Sequence, residues 1–394
     1  MRVLINPAAD RLRSYGDDER RVLDRVEAAN AYREISTWPG YAPTPLRSLP
    51  TLARRLGVAA VFYKDEASRF GLQSFKALGG SYGVLCVLRE EVRRAAGVDA
   101  TTGVDLRGPR YRSITRGVVV TTATDGNHGR SVAWGARLFG CRAVIVLPKG
   151  VSAGRERAIR ELGADIVRTD LDYDGAVRYC AEEATANGWS VVSDTSYDGY
   201  ETIPRCVMHG YTVLAAEILQ QVAPDEWPTH LFLQAGVGGL AAAVVAYLWE
   251  AYPHRRPITV VVEPDKADCL YQTAIAGKLT RASGDLDTIM AGLSCGWASP
   301  LAWRILRAGA DAFMTIPDGL AVHAMRLLAG GSSSEPAIVA GESAVAGVAG
   351  AREVANDRQL RDGLGFDSHA RVLFVGTEGA TDTEIYQKLV GSND

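Results

Sequence analysis

The chain has 394 residues, of which 47% are hydrophobic and 23% are charged, and its formal net charge is −3. This composition provides ample material for a buried core, and the length suggests two or three domains. The small negative charge argues against a nucleic-acid-binding protein, and the sequence contains no basic stripe interleaved with aromatic residues.

Two apolar stretches bear on the location of the protein. The N-terminal run at residues 3–5 is too short for a secretory signal, so a cytoplasmic location is the default expectation. Residues 231–252 are apolar enough to suggest a membrane span, but Gln234, Gly236 and Gly238 interrupt them. We therefore predict a buried strand, a tight loop and a core helix there, and no membrane partner.

The cysteines and histidines give no sign of a metal site. The six cysteines show no C-x-x-C pattern, and the six histidines show no H-E-x-x-H or other metal-ligand spacing, so we predict no structural metal. Cys269 and Cys295 each lie beside a predicted active-site loop and are candidates for neighbours in space. Reduced thiols are the favoured state in a cytoplasm, and a disulfide is the alternative.

The N-terminal segments alternate between helix and extended chain. Charged and apolar residues recur at helical spacing over residues 17–33, which predicts a surface helix on the main body. Pro43 and Pro45 enforce an extended segment. Residues 49–56 then predict a short helix, and residues 58–64 predict a strand.

The strand leads to residues 70–80, whose central residue is Lys76. Lys76 lies between Phe75 and Ala77, at or near the start of a helix predicted over residues 81–91. Apolar surroundings disfavour the ammonium form and make the amine available as a nucleophile, which suits a Schiff base. An ordinary helix lysine that extends to solvent is the alternative for a lysine considered alone.

A repeated strand, loop and helix pattern follows. Residues 96–116 are rich in Gly, Thr, Pro and Arg and are predicted as a loop insertion. Residues 117–122 predict a buried parallel strand, which delivers the loop 124–129 before a helix over residues 131–139. The pattern recurs with strands over residues 143–147, 165–168 and 190–193 and helices over residues 154–162 and 174–187. This alternation predicts a parallel sheet wrapped by helices, in a small α/β domain inserted into a larger one.

The second half of the chain contains two further loops that follow buried strands. A helix over residues 199–219 returns the chain to the larger domain, and a strand over residues 230–234 runs into the glycine-rich loop 234–240. Free N–H groups and the helix dipole make such a loop an anion site, although close packing alone would also explain the glycines. A last strand, over residues 371–375, runs into Thr377.

Three of these stretches, in this order, resemble the motifs of the fold-type II pyridoxal phosphate enzymes, which include the serine and threonine dehydratases. They are the lysine stretch 70–80, the asparagine loop 121–129 and the glycine loop 234–240. Each motif alone is weak, but together they supply the different needs of one cofactor. The resemblance implies an α/β fold of two domains, each with a twisted, mostly parallel sheet covered by helices. We assign residues 1–80 and 205–394 to a large cofactor-binding domain and residues 81–204 to a small inserted domain.

The resemblance also implies roles for single residues toward pyridoxal 5′-phosphate. Lys76 carries the cofactor as a Schiff base, Asn127 contacts the ring hydroxyl oxygen, and Thr377 offers a hydroxyl to the ring nitrogen. A simple turn residue is the alternative for Asn127. The loop that holds the cofactor phosphate consists of Gly236, Val237, Gly238 and Gly239. The loop that receives the substrate contains Thr124, Asp125, Gly126 and His128.

Two positions distinguish the chain from the dehydratases. Dehydratases of this fold usually carry a small uncharged or hydroxyl residue at the position of Asp125 and an arginine at the position of Leu78. Both positions, together with stretches such as residues 63–66 and 377–382, instead resemble the diaminopropionate ammonia-lyases, and the resemblance extends over residues 41–382. That family performs α,β-elimination on D- and L-2,3-diaminopropionate and releases pyruvate and two ammonia by way of aminoacrylate.

The resemblance assigns the catalytic groups as well. Asp125 takes the α-proton of the D-enantiomer, Lys76 takes that of the L-enantiomer, and Asp194 is a further catalytic carboxylate that contacts the substrate amine. A carboxylate would give the β-ammonium a charge-assisted hydrogen bond, whereas a hydroxyl-lined pocket would leave it unpaired. For Asp194, a helix N-cap or an ordinary loop aspartate is an equally open alternative.

Two other functions remain open on the sequence alone. One is another pyridoxal-phosphate-dependent α,β-elimination or β-replacement on a related amino acid, in the manner of the serine and threonine dehydratases. The other is a catalytically silent protein that binds pyridoxal phosphate or an amino acid. The family expectation is a homodimer that acts on a small amino-acid substrate.

Overall fold

The protein is described from a computed structural model, and the described residues are 1–124, 126–331 and 335–391. They form two compact units. The large unit comprises Met1–Arg25, Pro43–Ser74 and Leu214–Asp394, and the small unit comprises Val26–Ala42 and Phe75–Val213. Among the described residues, none of the helices combines the length and the apolar character needed to span a bilayer.

The described residues contain strands and helices in alternation along most of the chain. The strands are β1 (Arg2–Ile5), β2 (Leu46–Ser48), β3 (Ala60–Asp65), β4 (Val119–Ala123), β5 (Arg142–Leu147), β6 (Asp165–Arg168), β7 (Ser190–Val191), β8 (His230–Gln234), β9 (Ile258–Pro264), β10 (Ala312–Ile316) and β11 (Arg371–Gly376). The helices are α1 (Asp17–Arg20), α2 (Arg25–Ile35), α3 (Pro50–Leu56), α4 (Lys76–Ala96), α5 (Gly103–Arg107), α6 (Arg112–Thr115), α7 (Asn127–Phe139), α8 (Ala153–Arg160), α9 (Tyr173–Asn187), α10 (Thr202–Gln221), α11 (Gly239–Ala251), α12 (Cys269–Ala276), α13 (Pro300–Gly309), α14 (Asp318–Gly330), α15 (Ala346–Asn356), α16 (Arg358–Leu364) and α17 (Thr383–Gly391).

The large unit is built on a seven-stranded sheet with the order β1-β10-β9-β8-β11-β3-β2. The five inner strands are mutually parallel, whereas the edge strands β1 and β2 run antiparallel to their neighbours. Every residue of β8 and β10 is buried, as expected of parallel strands covered on both faces. Because β8 and β11 are parallel neighbours, the loops that follow them lie at the same edge of the sheet.

The small unit contains a four-stranded, fully parallel sheet with the order β6-β5-β4-β7. Helix α4 packs against α7 at a very close backbone distance, because small residues face each other. A Cβ at Gly80 would lie 1.8 Å from Ser131 Oγ, and a Cβ at Gly135 would lie 2.8 Å from the Cα of Ser81. The second glycine after Lys76 is therefore required by packing.

The structure confirms the α/β fold with two mainly parallel sheets, and it corrects the placement of the N-terminal segment. Residues 26–42 belong to the small unit, not to the main body. Glu34 accepts hydrogen bonds from Arg89 Nη2 (2.8 Å) and from the N–H of Gly103 (3.1 Å), and the Trp38 ring lies 5.9 Å from that of Trp134. The unit bounds at residues 74/75 and 213/214 also differ from the predicted 80/81 and 204/205.

The predicted loop over residues 96–116 is wrong in part, because it contains the short helices α5 and α6. Helix α5 begins at a capping box in which the Thr102 hydroxyl accepts from the N–H of Asp105, and the Asp105 carboxylate accepts from the N–H of Thr102. That signal is visible in the sequence, since the two residues have capping-box spacing. The high glycine and proline content of residues 96–116 favoured a loop over this helix signal.

A buried charge cluster anchors the segment that follows β3. Lys64 Nζ lies 2.7 Å from Glu217 Oε2, and Arg69 Nη2 lies 2.8 Å from both Glu66 Oε1 and Glu217 Oε2. All four side chains are at most 1% exposed. Two cations thus face two carboxylates, which compensates the cost of removing these charges from water.

We expect Glu217→Gln to lower the free energy of unfolding by about 3–5 kcal/mol, because it leaves the buried Lys64 and Arg69 with one carboxylate between them. Urea denaturation measures this change. Glu90→Gln is the matched control, since Glu90 pairs with Arg93 and Arg94 at the surface of α4, where we expect little change. A loss of equal size in both variants would contradict the structural role of the cluster.

Candidate active site

Lys76 is the first residue of α4, and it has a specific charged partner in the small unit. Its Nζ atom forms an ion pair with Oδ2 of Asp194, and 18% of the lysine side chain is exposed. The sequence predicted an apolar setting that disfavours the ammonium form, but the carboxylate acts in the opposite direction and stabilises it. This pairing distinguishes Lys76 from a surface lysine that merely extends to solvent.

Asp194 lies in the connection that follows β7, and a tyrosine hydroxyl is hydrogen-bonded to the backbone of this connection. The Tyr200 hydroxyl donates to the carbonyl of Val191 (2.8 Å) and accepts from the N–H of Ser193 (3.1 Å), so it holds the backbone just before Asp194. Burial, the largest single influence, would raise the pKa of Asp194, but the charge of Lys76, its hydrogen bond and the other local interactions together hold this pKa well below the usual range. The next helix, α10, begins well beyond this residue, which excludes the helix N-cap interpretation.

His128, in the first turn of α7, brings an imidazole beside this ion pair. Its Nε2 donates to the carbonyl of Val192 at 2.8 Å, so Nδ1 carries the lone pair of the neutral ring. Nδ1 lies 3.8 Å from Oδ2 of Asp194 and has no hydrogen-bond partner among the described residues. Burial lowers the pKa of His128, against the opposing charge of Asp194, so the ring is neutral at pH 7.

The loop before α7 is held by its own threonine. Thr124 Oγ1 accepts from the N–H groups of Gly126 and Gly129, both at 3.0 Å. Gly126 has a φ of +152°, a conformation that residues with a side chain rarely adopt. Asn127 is the first residue of α7, and Asp125 lies outside the described residues. Thr124 therefore fixes the backbone conformation of this loop by these two hydrogen bonds.

Tyr211 of α10 also lies near Lys76, and the sequence did not indicate it. Its ring packs on Phe75 with 4.7 Å between centroids, and a Cβ at Gly79 would lie 2.3 Å from a Tyr211 ring carbon. Burial raises the pKa of the phenol, whereas the charge of the nearby Lys76 lowers it. Tyr211 belongs to the apolar pattern of a long helix, so only tertiary packing reveals its position.

In the large unit, the predicted phosphate loop connects β8 to α11. Its residues are Gly236, Val237, Gly238 and Gly239, the last being the first residue of the helix. Gly238 has a φ of +93°, and no described side chain caps α11, so the N–H groups at the start of this helix are not bonded by a side-chain cap. A Cβ at Gly236 would lie 2.8 Å from Cys295 Sγ, so only glycine fits there. The geometry suits a phosphate bound by main-chain N–H groups.

Thr377, which follows β11, is linked to this loop through the end of β8. Gln234 Nε2 donates to Thr377 Oγ1 at 3.0 Å and to the carbonyl of Val375 at 2.7 Å. Since the Thr377 oxygen accepts this bond, its hydroxyl hydrogen remains to be donated to another acceptor. A pyridine nitrogen is such an acceptor, which agrees with the predicted role. Sequence reasoning did not assign the orienting role to Gln234.

Cys269 and Cys295 border the glycine loop and are not joined in a disulfide in this structure. Cys269 Sγ donates to the carbonyl of Gly236 at 3.5 Å and lies 3.6 Å from Glu263 Oε1. Burial raises the pKa of the Cys269 thiol, so the thiol stays protonated at neutral pH.

Comparison with known proteins gives one consistent result. The model of the family described as "Pyridoxal-phosphate dependent enzyme" matches residues 37–378. The diaminopropionate ammonia-lyase of Escherichia coli K12 is 41% identical over 355 residues, which cover 89% of this chain and 88% of that protein.

Two crystal structures from Escherichia coli are also closely similar. Holo diaminopropionate ammonia-lyase matches with a TM-score of 0.89 and 36% identity, over 99% of this chain and 96% of that chain. The same enzyme in complex with an aminoacrylate-PLP azomethine reaction intermediate matches with a TM-score of 0.87 and 36% identity, over the same shares. The chain therefore belongs to the pyridoxal-phosphate dependent enzymes and, within them, to the family of the diaminopropionate ammonia-lyases.

Proposed function

We propose that this protein is a diaminopropionate ammonia-lyase, which converts D- and L-2,3-diaminopropionate to pyruvate and two ammonia. The observation that carries the proposal is the ion pair between Lys76 and Asp194. The substrate carries a β-ammonium, and a carboxylate beside the predicted cofactor lysine is the group that this ammonium requires as a partner. Asp194 already pairs with one primary ammonium, that of Lys76. The identity of 41% to a diaminopropionate ammonia-lyase supports the same substrate.

The residues present fit pyridoxal phosphate. We assign the cofactor phosphate to the glycine loop 236–239, whose helix N-terminus suits an anion and whose Gly236 tolerates no side chain. We assign the ring nitrogen to the Thr377 hydroxyl, the ring hydroxyl oxygen to Asn127 and the aldehyde carbon to the Lys76 amine. When bound, the cofactor supplies an electron sink for the negative charge that develops at the substrate α-carbon.

Asp194 and His128 would hold the substrate's β-ammonium. The carboxylate oxygen and the neutral Nδ1 lie 3.8 Å apart, and a single ammonium group can donate to both. The depressed pKa of Asp194 keeps this acceptor charged throughout the neutral range. Holding the β-amine in its protonated form assists its departure as neutral ammonia, which a hydroxyl-lined site would not do.

Two residues would remove the α-proton, one for each enantiomer. We assign Lys76 to the L-enantiomer and Asp125 to the D-enantiomer, as the resemblance implies. The loop 124–129 would receive the substrate carboxylate at the N-terminus of α7, with Gly126 allowing close approach and Thr124 holding the backbone. Acid–base groups of this kind contribute about 10²–10⁴-fold to the rate of proton transfer.

We further propose that the protein is a homodimer, because the family resemblance implies it, and that it is cytoplasmic, because the N-terminal apolar run at residues 3–5 is too short for a secretory signal. Light scattering on the purified holoprotein measures the number of chains in the particle.

Cofactor-loaded protein should release pyruvate and ammonia from both enantiomers of 2,3-diaminopropionate and turn over D- and L-serine and threonine poorly. Coupled assays for pyruvate and ammonia measure these rates. Faster turnover of serine or threonine would establish a dehydratase instead. A bound cofactor without turnover of any amino acid would indicate a silent binding protein.

Asp125→Asn should reduce turnover of D-diaminopropionate by about 10²-fold or more and affect the L-enantiomer much less, because only the D-enantiomer is assigned to this base. Asp165→Asn is the control, since Asp165 is an exposed aspartate of the same unit, paired with Arg142. Equal losses on the two enantiomers would refute the two-base assignment.

Asp194→Asn should lower kcat/KM for diaminopropionate by about 10²-fold, because the β-ammonium loses a charge-assisted hydrogen bond and the amine departs less readily. Residual turnover of serine by the same variant provides the internal reference, since serine carries no β-ammonium. The ratio of the two kcat/KM values should therefore fall, and an unchanged ratio would remove Asp194 from substrate recognition.

A further inference from the structure

The large unit has a second concave surface, at the sheet edge where β8, β9 and β11 begin. This pocket has a volume of about 350 Å³. Its lining is rich in basic side chains, with an indole among the apolar groups: Arg11, Arg255, Arg256, Arg371, His369 and Trp227. We call it the basic pocket.

The basic pocket is separate from the glycine loop. Strand β8 begins at His230, which lines the pocket, and ends at Gln234, which precedes the glycine loop. Five residues of extended chain span roughly 17 Å, so the two places lie at opposite edges of the same sheet. The cofactor phosphate assigned to the glycine loop therefore does not account for the basic pocket.

Three of its guanidinium groups are held in place by main-chain carbonyls. Arg11 Nη2 donates to the carbonyl of Arg256 at 2.9 Å, and Arg371 Nε donates to the carbonyl of Trp227 at 2.7 Å. Arg256 Nη1 donates to the carbonyl of Gly309 at 2.6 Å. A guanidinium group carries five N–H donors, so each arginine keeps donors beyond these bonds. Because these side chains are already fixed, the binding of a ligand would cost less conformational entropy.

Positive charge exceeds negative charge around the pocket. Arg11 and Arg256 share one carboxylate, that of Asp311, at 3.1 Å and 3.3 Å, and the pocket lining itself contains the carboxylate of Asp367. Asp10 adds a third carboxylate near Arg256, so four arginines face three carboxylates. The side chain of Arg256 is only 3% exposed, and its Nε has no hydrogen-bond partner among the described residues.

Burial is the main influence on the titration of the buried basic groups at the pocket. Burial lowers the pKa of Arg256, and the charge of Arg11 lowers it further, against the opposing effect of Asp311 and Asp10. Burial likewise lowers the pKa of His230, and Arg11 again contributes in the same direction. An anion placed among these groups would relieve the repulsion between them.

We propose that the basic pocket is a binding site for a small phosphate-bearing anion, distinct from the cofactor. Arginine is the side chain best suited to phosphate, because its planar fork donates two parallel hydrogen bonds to phosphate oxygens. The volume is within the range of small-molecule sites and admits inorganic phosphate or a small phosphate ester. The proposal is independent of which amino acid the enzyme acts on.

Calorimetric titration of the cofactor-loaded protein at constant ionic strength tests the proposal, with inorganic phosphate, glycerol 3-phosphate and AMP as probes and chloride as the reference anion. We expect saturable binding of one probe molecule per chain, with the visible absorbance of the cofactor retained. Tighter binding of the esters identifies a phosphorylated metabolite, and equal binding identifies phosphate itself; both support the site.

The variant Arg11→Gln/Arg255→Gln should weaken this binding by about tenfold or more, since each lost charge-assisted bond costs that order of affinity. Both side chains reach solvent, so the fold should persist, which the cofactor spectrum and the thermal unfolding temperature verify. Arg21→Gln/Arg358→Gln removes the same charge from exposed positions of the same unit and should leave binding unchanged.

In the wild type, phosphate should also raise the unfolding temperature. Three outcomes would each overturn the proposal. They are a lack of saturable binding, equal competition by chloride, and equal affinity of the two double variants for the probe.

Discussion

Helix α4 approaches its neighbours in the small unit more closely than side chains would permit, and the position of Lys76 depends on that approach. At Gly80 a Cβ would collide with Ser131 of α7, and at Gly79 it would collide with the ring of Tyr211 on α10. Lys76 opens the same helix, one turn before these glycines. The glycines that follow the lysine in the motif therefore fix the helix whose first residue is Lys76, and we expect substitution at either to displace the Lys76 amine together with the packing.

Lys64 and Lys76 lie twelve residues apart and differ in burial and in their charged partners. These differences suit Lys64 to a structural role and Lys76 to the chemical role that we propose. Lys64 is fully buried and is matched by carboxylates in a cluster with equal numbers of positive and negative groups. Such a lysine is held in one position by its partners. Lys76 is partly exposed, and among the described residues it pairs with the carboxylate of Asp194, with a neutral imidazole beside it. In the function that we propose, a substrate ammonium would take the place of Lys76 as the partner of the Asp194 carboxylate.

Much of the fold was predictable, because the strands that precede the motif loops are short apolar runs that end at glycine or polar residues. The predicted strands at 165–168 and 230–234 are observed with the same bounds, and the others shift by a few residues. Strands β1 and β10 were not predicted; they pair Arg2 with Thr315, a contact that no local pattern reveals. Tyr200, Tyr211 and Gln234 were missed for the same reason, since each acts on residues that lie in other elements.

By itself, the sequence determined the cofactor family, because one cofactor demands particular residue types in three local motifs, and it supplied the residues that we propose for the cofactor. Only the tertiary structure decided that Asp194, 118 residues away along the chain, is the partner of Lys76. It also decided that Nδ1 of His128 faces that carboxylate, through a hydrogen bond from Nε2 to a neighbouring strand end, and it gathered four arginines from distant segments into one pocket. These features depend on long-range contacts between side chains, which are set by how strands and helices pack and not by the order of residues within any one of them.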